Sequence, residues 1–184
     1  GTSGKPQKID TPLEASVVRA LYTGDVKGAL EALSKTTPDR RARRVAKKLM
    51  KYVGTTKLFL VDPSNDNPAS MTVGEVANLS KLFAKERNGE LPAGLYVGAD
   101  NAILLNQRTG INAYTFLHEM AHAATLFEIE TNPQSSTVKR LNKLYEDVKT
   151  TYGEYKPYGT TNLAEFVAEA YSNPEFQRDL ARIN

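Results

Sequence analysis

The stretch FLHEMAHAAT (residues 116–125) constrains the fold more than any other part of the chain. It places both of the chain's histidines inside an apolar segment. Residues four apart lie on the same face of an α-helix, one turn from each other. His118 and His122 have this spacing, and buried ring nitrogens need polar partners. The stretch therefore predicts a helix from about residue 112 to residue 129 whose histidine face meets polar groups from elsewhere in the chain.

HEMAH matches the pattern H-E-x-x-H. Two imidazoles one turn apart can direct their ring nitrogens at one ion about 2 Å away, and Zn²⁺ is the usual occupant of such a site. Glu119 flanks that face, where it can take a proton from a metal-activated water. The alternative is a pair of ordinary structural histidines, but a chance match has odds of about one in a hundred. The motif predicts one zinc ion, with His118 and His122 as ligands and Glu119 as the general base.

A catalytic zinc needs a third protein ligand and an open position. The chain has no cysteine and no third histidine, so either this ligand is a carboxylate or the site is incomplete. The predicted helix NLAEFVAEAY (162–171) carries Glu165 and Glu169 four residues apart among apolar residues. One of them would bind the metal, and the other would accept the N–H of a ligating histidine. The alternative is the charged edge of an amphipathic helix.

HEMAH followed by YGTTNLAEFVAEAY (158–171) resembles the two motifs of the zinc metallopeptidases of the gluzincin type to which the anthrax lethal factor catalytic domain belongs. Their second motif has a tyrosine, a ligand glutamate seven residues later and another glutamate four residues after that. Tyr158, Glu165 and Glu169 match these positions. The segment 162–177 also resembles metallopeptidase-like domains of large phage-encoded polyproteins. The resemblance covers about residues 94–184 and is specific only in its two motifs.

The resemblance implies a role for each matched residue. Glu165 would be the third zinc ligand, and Glu169 would accept a hydrogen bond from His118. Glu119 would pass its proton on after acting as the base. Tyr158 would donate its hydroxyl to the oxyanion of the reaction. The residues alone do not single out Tyr158, because Tyr152 and Tyr155 lie in the same predicted loop.

The resemblance also implies a role for the predicted strand AILLN (102–106). In metallopeptidases of this fold an edge strand beside the cleft pairs with the extended substrate backbone. Four residues are therefore expected to bind substrate: Ala102, Ile103, Leu104 and Leu105. The alternative, equally favoured, is an internal hairpin strand that binds nothing.

Capping signals divide the rest of the chain into elements. Three helices are expected in the N-terminal third of the chain. Thr11 with Pro12 caps the first, Asp25 caps the second, and Thr37 with Pro38 caps the last, which ends at Gly54. A strand (56–61), a loop (62–70), a helix (74–89) and a hairpin (94–106) with its turn at residues 98–101 follow. Three more helices complete the chain after the histidine helix, the first capped by Asn132 with Pro133 and the last by Asn173.

This order predicts an α+β fold with a small mixed or antiparallel sheet and a mostly helical C-terminal part. The resemblance implies that this fold is of the zincin-like metallopeptidase type. We expect an N-terminal helical segment (1–53), in which GTSG (1–4) resembles an expression-tag remnant, followed by the metallopeptidase domain (54–184).

The predicted partner is a protein or peptide substrate, and we expect a monomer. The basic run RRARRVAKKLMK (40–51) offers an alternative, nucleic-acid binding, but a net charge of +3 and the lack of interleaved aromatic residues disfavour it. We expect no membrane partner, because no apolar run approaches about 18 residues and the N-terminus lacks the apolar core of a signal peptide. The resemblance further implies a phage-encoded protein that acts in a bacterial cell or a virion.

Overall fold

The structure is a computed structural model and describes residues 13–62, 92–154 and 157–183. These ranges contain seven α-helices and one three-stranded mixed sheet, so the fold is α+β and mostly helical. The elements are α1 (Ala15–Tyr22), α2 (Val26–Thr36), α3 (Arg40–Leu49), β1 (Lys57–Val61), β2 (Gly94–Val97), β3 (Ala102–Asn106), α4 (Ala113–Thr131), α5 (Ser136–Tyr152), α6 (Leu163–Ser172) and α7 (Pro174–Leu180). The predicted helix 74–89 and nearly all of the predicted loop 62–70 lie outside the described residues.

Two of the three N-terminal helices begin at residues other than those predicted. Asp25 caps α2 as expected, because its carboxylate accepts the N–H of Gly28. Helix α1 begins only at Ala15, after an extended Glu14, and Thr11 and Pro12 lie outside the described residues. Helix α3 is capped by Asp39, whose carboxylate accepts the N–H of Arg41. Asp39 provides this capping oxygen two residues after Thr37, the predicted cap.

Helix α5 also starts later than predicted. Its N-cap is Ser135, whose hydroxyl accepts the N–H of Val138, and not Asn132. Asn173 caps α7 as expected by accepting the N–H groups of Glu175 and Phe176.

Strand β3 is the middle strand of the sheet. It pairs in parallel with β1 and antiparallel with β2, and the β2–β3 connection is the predicted turn, with Asn101 at a φ of 46°. The expectation that β3 is an edge strand was wrong. Its backbone is hydrogen bonded on both sides, and none of the four residues expected to bind substrate is exposed: Ala102, Ile103, Leu104 and Leu105. The internal-strand alternative is the one that the structure shows.

Two hydrophobic clusters include the helices that carry the predicted site. The first joins α1–α3 to the sheet and to α4, and includes Val17, Leu30, Leu49, Leu58, Ile103, Phe116 and Met120. The second joins α5, α6 and α7, and includes Tyr145, Val148, Phe166, Val167 and Phe176. The segments before and after residue 53 thus pack into one core. Burying each large apolar side chain contributes about 1.5–3 kcal/mol, so both clusters hold their helices firmly.

Helices α4 and α6 pack directly on each other, and this contact brings the two predicted motifs together. Within the described ranges, no helix combines the length and the apolar character needed to cross a membrane.

Candidate metal centre

Two asparagine caps set the starts of the helices that carry the site. The Asn112 side chain accepts the N–H of Thr115 at the start of α4, and the Asn162 side chain accepts the N–H of Glu165 at the start of α6. These caps satisfy N–H groups that have no partner inside the helix. Helix α4 then presents His118 and His122 toward the first turn of α6, where Glu165 lies.

The three predicted ligands converge on one point. The Nε2 atoms of His118 and His122 are 3.1 Å apart. Glu165 Oε2 lies 3.0 Å from His118 Nε2, and Glu165 Oε1 lies 3.4 Å from His122 Nε2. Ligand atoms on a tetrahedral zinc with bonds of about 2.0–2.1 Å are about 3.3 Å apart. The observed spacing therefore makes this group a candidate metal-binding triad.

The protonation of His118 strengthens this fit. Its Nδ1 lies 3.0 Å from Glu169 Oε1, and a carboxylate oxygen accepts, so Nδ1 carries the proton of the neutral ring. Nε2 then has a lone pair aimed at Glu165 Oε2. That oxygen is buried and has no hydrogen-bond partner of acceptable geometry among the described residues. Two buried acceptors that face each other need a cation or an additional proton between them.

The electrostatics of the site favour positive charge at His118. Burial lowers the pKa of His118, but the carboxylates of Glu165 and Glu169 and the charge of Glu119 outweigh it and raise the pKa to about 10. Burial raises the pKa of Glu165, yet the two histidines together hold it well below its usual range. A divalent cation satisfies the same charge balance without an extra proton on His118.

Glu169 is the centre of a buried network behind His118. Its side chain is 1% exposed and accepts a hydrogen bond from the hydroxyl of Tyr114 and another, of 2.8 Å, from Asn173 Nδ2. Ser172 Oγ lies 3.4 Å from His118 Nδ1 and donates to the carbonyl of Ala168. This network fixes the orientation of the His118 ring, as such partners do for metal-ligating histidines.

The sequence analysis missed the contacts of Tyr114 and Asn173 with Glu169, and it assigned Asn173 only as a helix cap. The signal that could have found them is helical spacing. Tyr114 precedes His118 by four residues, and Asn173 follows Glu169 by four residues, so each lies on the same helix face as the residue that it supports. Tyr114 also lies against the His118 ring, with the ring centroids 5.7 Å apart.

Glu119 is buried beside the start of β2. A Cβ atom on Gly94 would lie 2.9 Å from Glu119 Cγ and 2.7 Å from Thr115 Cγ2, so the strand backbone contacts the Glu119 side chain directly. Only a glycine allows this close approach. Strand β2, and not β3, is therefore the strand that borders the site.

Tyr158 also lies at the centre. It begins a short 3₁₀ helix (Tyr158–Thr160), which the Tyr145 hydroxyl holds by donating to the Thr160 carbonyl at 3.0 Å. The Tyr158 ring centroid is 6.1 Å from that of His118. Of the other two tyrosines considered, Tyr152 stacks on Phe176 in the second cluster, and Tyr155 lies outside the described residues.

The structure thus brings six predicted residues to one place: His118, Glu119, His122, Tyr158, Glu165 and Glu169. The four residues predicted to bind substrate in β3 are not among them. No protein-family model, curated protein or solved structure matches this chain.

Proposed function

We propose that this chain is a zincin-like metallopeptidase domain that hydrolyses peptide bonds with the help of a zinc ion. The observation that carries the proposal is the convergence of His118, His122 and Glu165, with Glu119 buried beside them. Three protein ligands leave one position of a tetrahedral ion open, as in catalytic zinc sites. Structural zinc sites usually have four protein ligands, and no other described histidine, aspartate or glutamate joins this group.

Each residue of the centre has a chemical task in this proposal. A zinc ion held here would polarise the scissile carbonyl and lower the pKa of the attacking water. Glu119 takes the proton from that water and delivers it to the leaving amine. Tyr158 donates its hydroxyl to the oxyanion, where a positioned donor is most effective. Glu169 keeps the Nδ1 proton of His118 in place, so that Nε2 faces the metal.

Strand β2 is the better candidate for holding the substrate. One of its sides pairs with β3, and no described strand pairs with the other. Its first residue, Gly94, contacts Glu119. An extended peptide added along this edge would pass next to the general base.

The alternative is a non-catalytic zinc-binding or structural module of a phage or toxin protein. Glu119 argues against it, because a purely structural metal site has no use for a buried carboxylate beside the ligands. The nucleic-acid alternative, which relies on residues 40–51, does not explain the convergence at α4 and α6.

The decisive experiment compares the parent protein with Glu119→Gln and His122→Ala. Zinc content is measured by mass spectrometry and activity by casein cleavage. We expect the parent to hold a single zinc ion and cleave casein. Glu119→Gln should hold zinc but lose about 100-fold or more of the activity, and His122→Ala should lose both. If the zinc-loaded parent cleaves casein and other unfolded proteins no faster than Glu119→Gln, the non-catalytic module is correct.

A further inference from the structure

A second concave site lies between α2 and α3. It has a volume of about 320 Å³ and is lined by Ser34, Arg40, Arg43, Arg44 and Lys47. None of these residues belongs to the metal centre. The cavity is large enough for a small ligand.

The four basic side chains share one face of α3. Their positions are separated by three, one and three residues, which places them on a single helical stripe above Ser34 of α2. Arg43 is fixed by donating from Nη1 to the carbonyl of Thr37 at 2.9 Å. Its guanidinium therefore forms a preoriented wall of the cavity.

Among the described residues, these cations have no acidic partners. Arg40, Arg44 and Lys47 form no ion pair or hydrogen bond of their side chains within the described ranges. Glu31 of α2 is paired with Lys35 at 2.9 Å, and the Asp39 carboxylate caps α3. Like charges three and four residues apart repel each other on a helix. A concave surface lined by one sign of charge concentrates the electric field and attracts counter-ions.

The chemistry of the lining indicates what this field attracts. Arginine forks bind phosphate oxygens in pairs, and a lysine adds a point charge. No aromatic ring from the described part of the chain lines the cavity, so these residues offer none of the base-stacking surface on which single-stranded nucleic acids rely. We propose that this cavity binds a compact, multiply charged phosphate compound, of the size of an inorganic polyphosphate or the phosphate tail of a nucleotide. The proposal is independent of the metal centre.

Helix α3 offers a matched control. Arg44 and Lys47 line the cavity, whereas Arg41 and Lys48 are also exposed on the same helix and do not line it. The double variants Arg44→Gln/Lys47→Gln and Arg41→Gln/Lys48→Gln lose the same charge. Tripolyphosphate is titrated into the parent and both variants by calorimetry. We expect binding to weaken about tenfold or more in the cavity variant and by less than about twofold in the control.

A spectroscopic measurement on the parent protein locates the ligand without any variant. Tripolyphosphate should shift the amide signals of Ser34 and of α3 in ¹⁵N spectra. Because tripolyphosphate also chelates zinc, the titration uses protein from which a chelator has already removed the metal. Signal shifts restricted to α4 and α6 would mean that tripolyphosphate removed remaining zinc and did not bind at α3.

Three results would overturn the proposal. The first is that the parent fails to bind tripolyphosphate at millimolar concentration. The second is that both double variants weaken binding equally, which would mean that binding reflects general charge attraction. The third result is that an oligonucleotide binds far more tightly than tripolyphosphate and that its affinity falls as much in Arg41→Gln/Lys48→Gln as in Arg44→Gln/Lys47→Gln. This result would make α3 a nucleic-acid surface.

Discussion

Glu169 and His118 lie on different helices, and their side chains meet with Oε1 3.0 Å from Nδ1. The contact ties the orientation of one predicted zinc ligand to a carboxylate on α6 that is almost wholly buried. Because Glu165 lies one turn earlier on α6, this helix supplies both a ligand and the residue that orients another ligand. The metal centre therefore depends on the packing of α4 against α6 as much as on the H-E-x-x-H motif.

Glu169→Ala should weaken zinc binding about 10- to 100-fold, because His118 loses the acceptor that fixes its ring. A competition titration with a coloured zinc chelator measures this. Glu175→Ala is the control, since it removes a carboxylate on α7 that is exposed and lies 4.0 Å from Arg178 Nη2. Unchanged zinc affinity in Glu169→Ala would show that Glu169 does not position His118.

Tyr114→Phe should lower the free energy of unfolding by about 1–3 kcal/mol, since it removes a hydroxyl that donates to a buried carboxylate. Zinc affinity should fall as well, but less than in Glu169→Ala. Urea unfolding of the metal-free protein gives the stability change. Tyr22→Phe, on an exposed tyrosine of α1, should leave the stability within about 0.5 kcal/mol of the parent. If both variants unfold at the same urea concentration as the parent, the Tyr114 hydroxyl contributes nothing.

Tyr158→Phe should lower kcat about 100- to 1000-fold while leaving zinc affinity unchanged. The ring remains to pack near His118, and only the proposed donor to the oxyanion is lost. Steady-state cleavage of a fluorogenic peptide selected from casein products measures kcat. A variant with parental kcat would remove Tyr158 from the proposed mechanism.

Gly94→Ala should reduce both stability and activity. The added methyl group would lie 2.9 Å from Glu119 Cγ and 2.7 Å from Thr115 Cγ2, so the strand or the general base has to move. Such overpacking costs about 1–3 kcal/mol. In the control Gly98→Ala, on the same hairpin, the nearest atom would be 3.8 Å away. Thermal unfolding and peptide cleavage are compared for the two variants, and equal behaviour would contradict the close approach of β2 to Glu119.

Zinc binding at pH 8 should release a proton from His118. In the metal-free protein the pKa of His118 is raised to about 10, so the ring is protonated at pH 8, and a zinc ligand has to be deprotonated. Protons therefore compete with the metal, and zinc affinity should fall as the pH is lowered. Calorimetry in two buffers of different ionisation enthalpy measures the release. Equal binding enthalpies in both buffers would contradict the protonated state.

The sequence predicted the parts of the structure that depend on local spacing. The α+β class is confirmed, as are the caps at Asp25 and Asn173 and the turn at Asn101. The convergence of the histidines with Glu165 follows from motif spacing and from the resemblance together. The contacts of Tyr114 and Asn173 with Glu169 were missed because their role depends on what α6 places opposite α4, although their four-residue spacing was visible.

The position of β3 in the sheet was wrong for a physical reason. Strand order is set by pairing between segments distant in sequence, and β1 pairs with β3 across more than 40 residues. A clue was nonetheless present in the strand itself. Four consecutive apolar residues without alternation are typical of a strand buried on both faces, whereas an edge strand that borders a cleft usually alternates.

The predicted ligands of the metal centre come from two helices, α4 and α6, whose buried aromatic side chains belong to different hydrophobic clusters. Phe116 and Met120 of α4 belong to the first hydrophobic cluster, and Phe166 of α6 belongs to the second. A bound cation would therefore add a link between the two clusters across the direct contact of α4 with α6. Loss of the metal would remove that link and leave the packing of both clusters in place, so the ion would stiffen the centre more than the rest of the molecule.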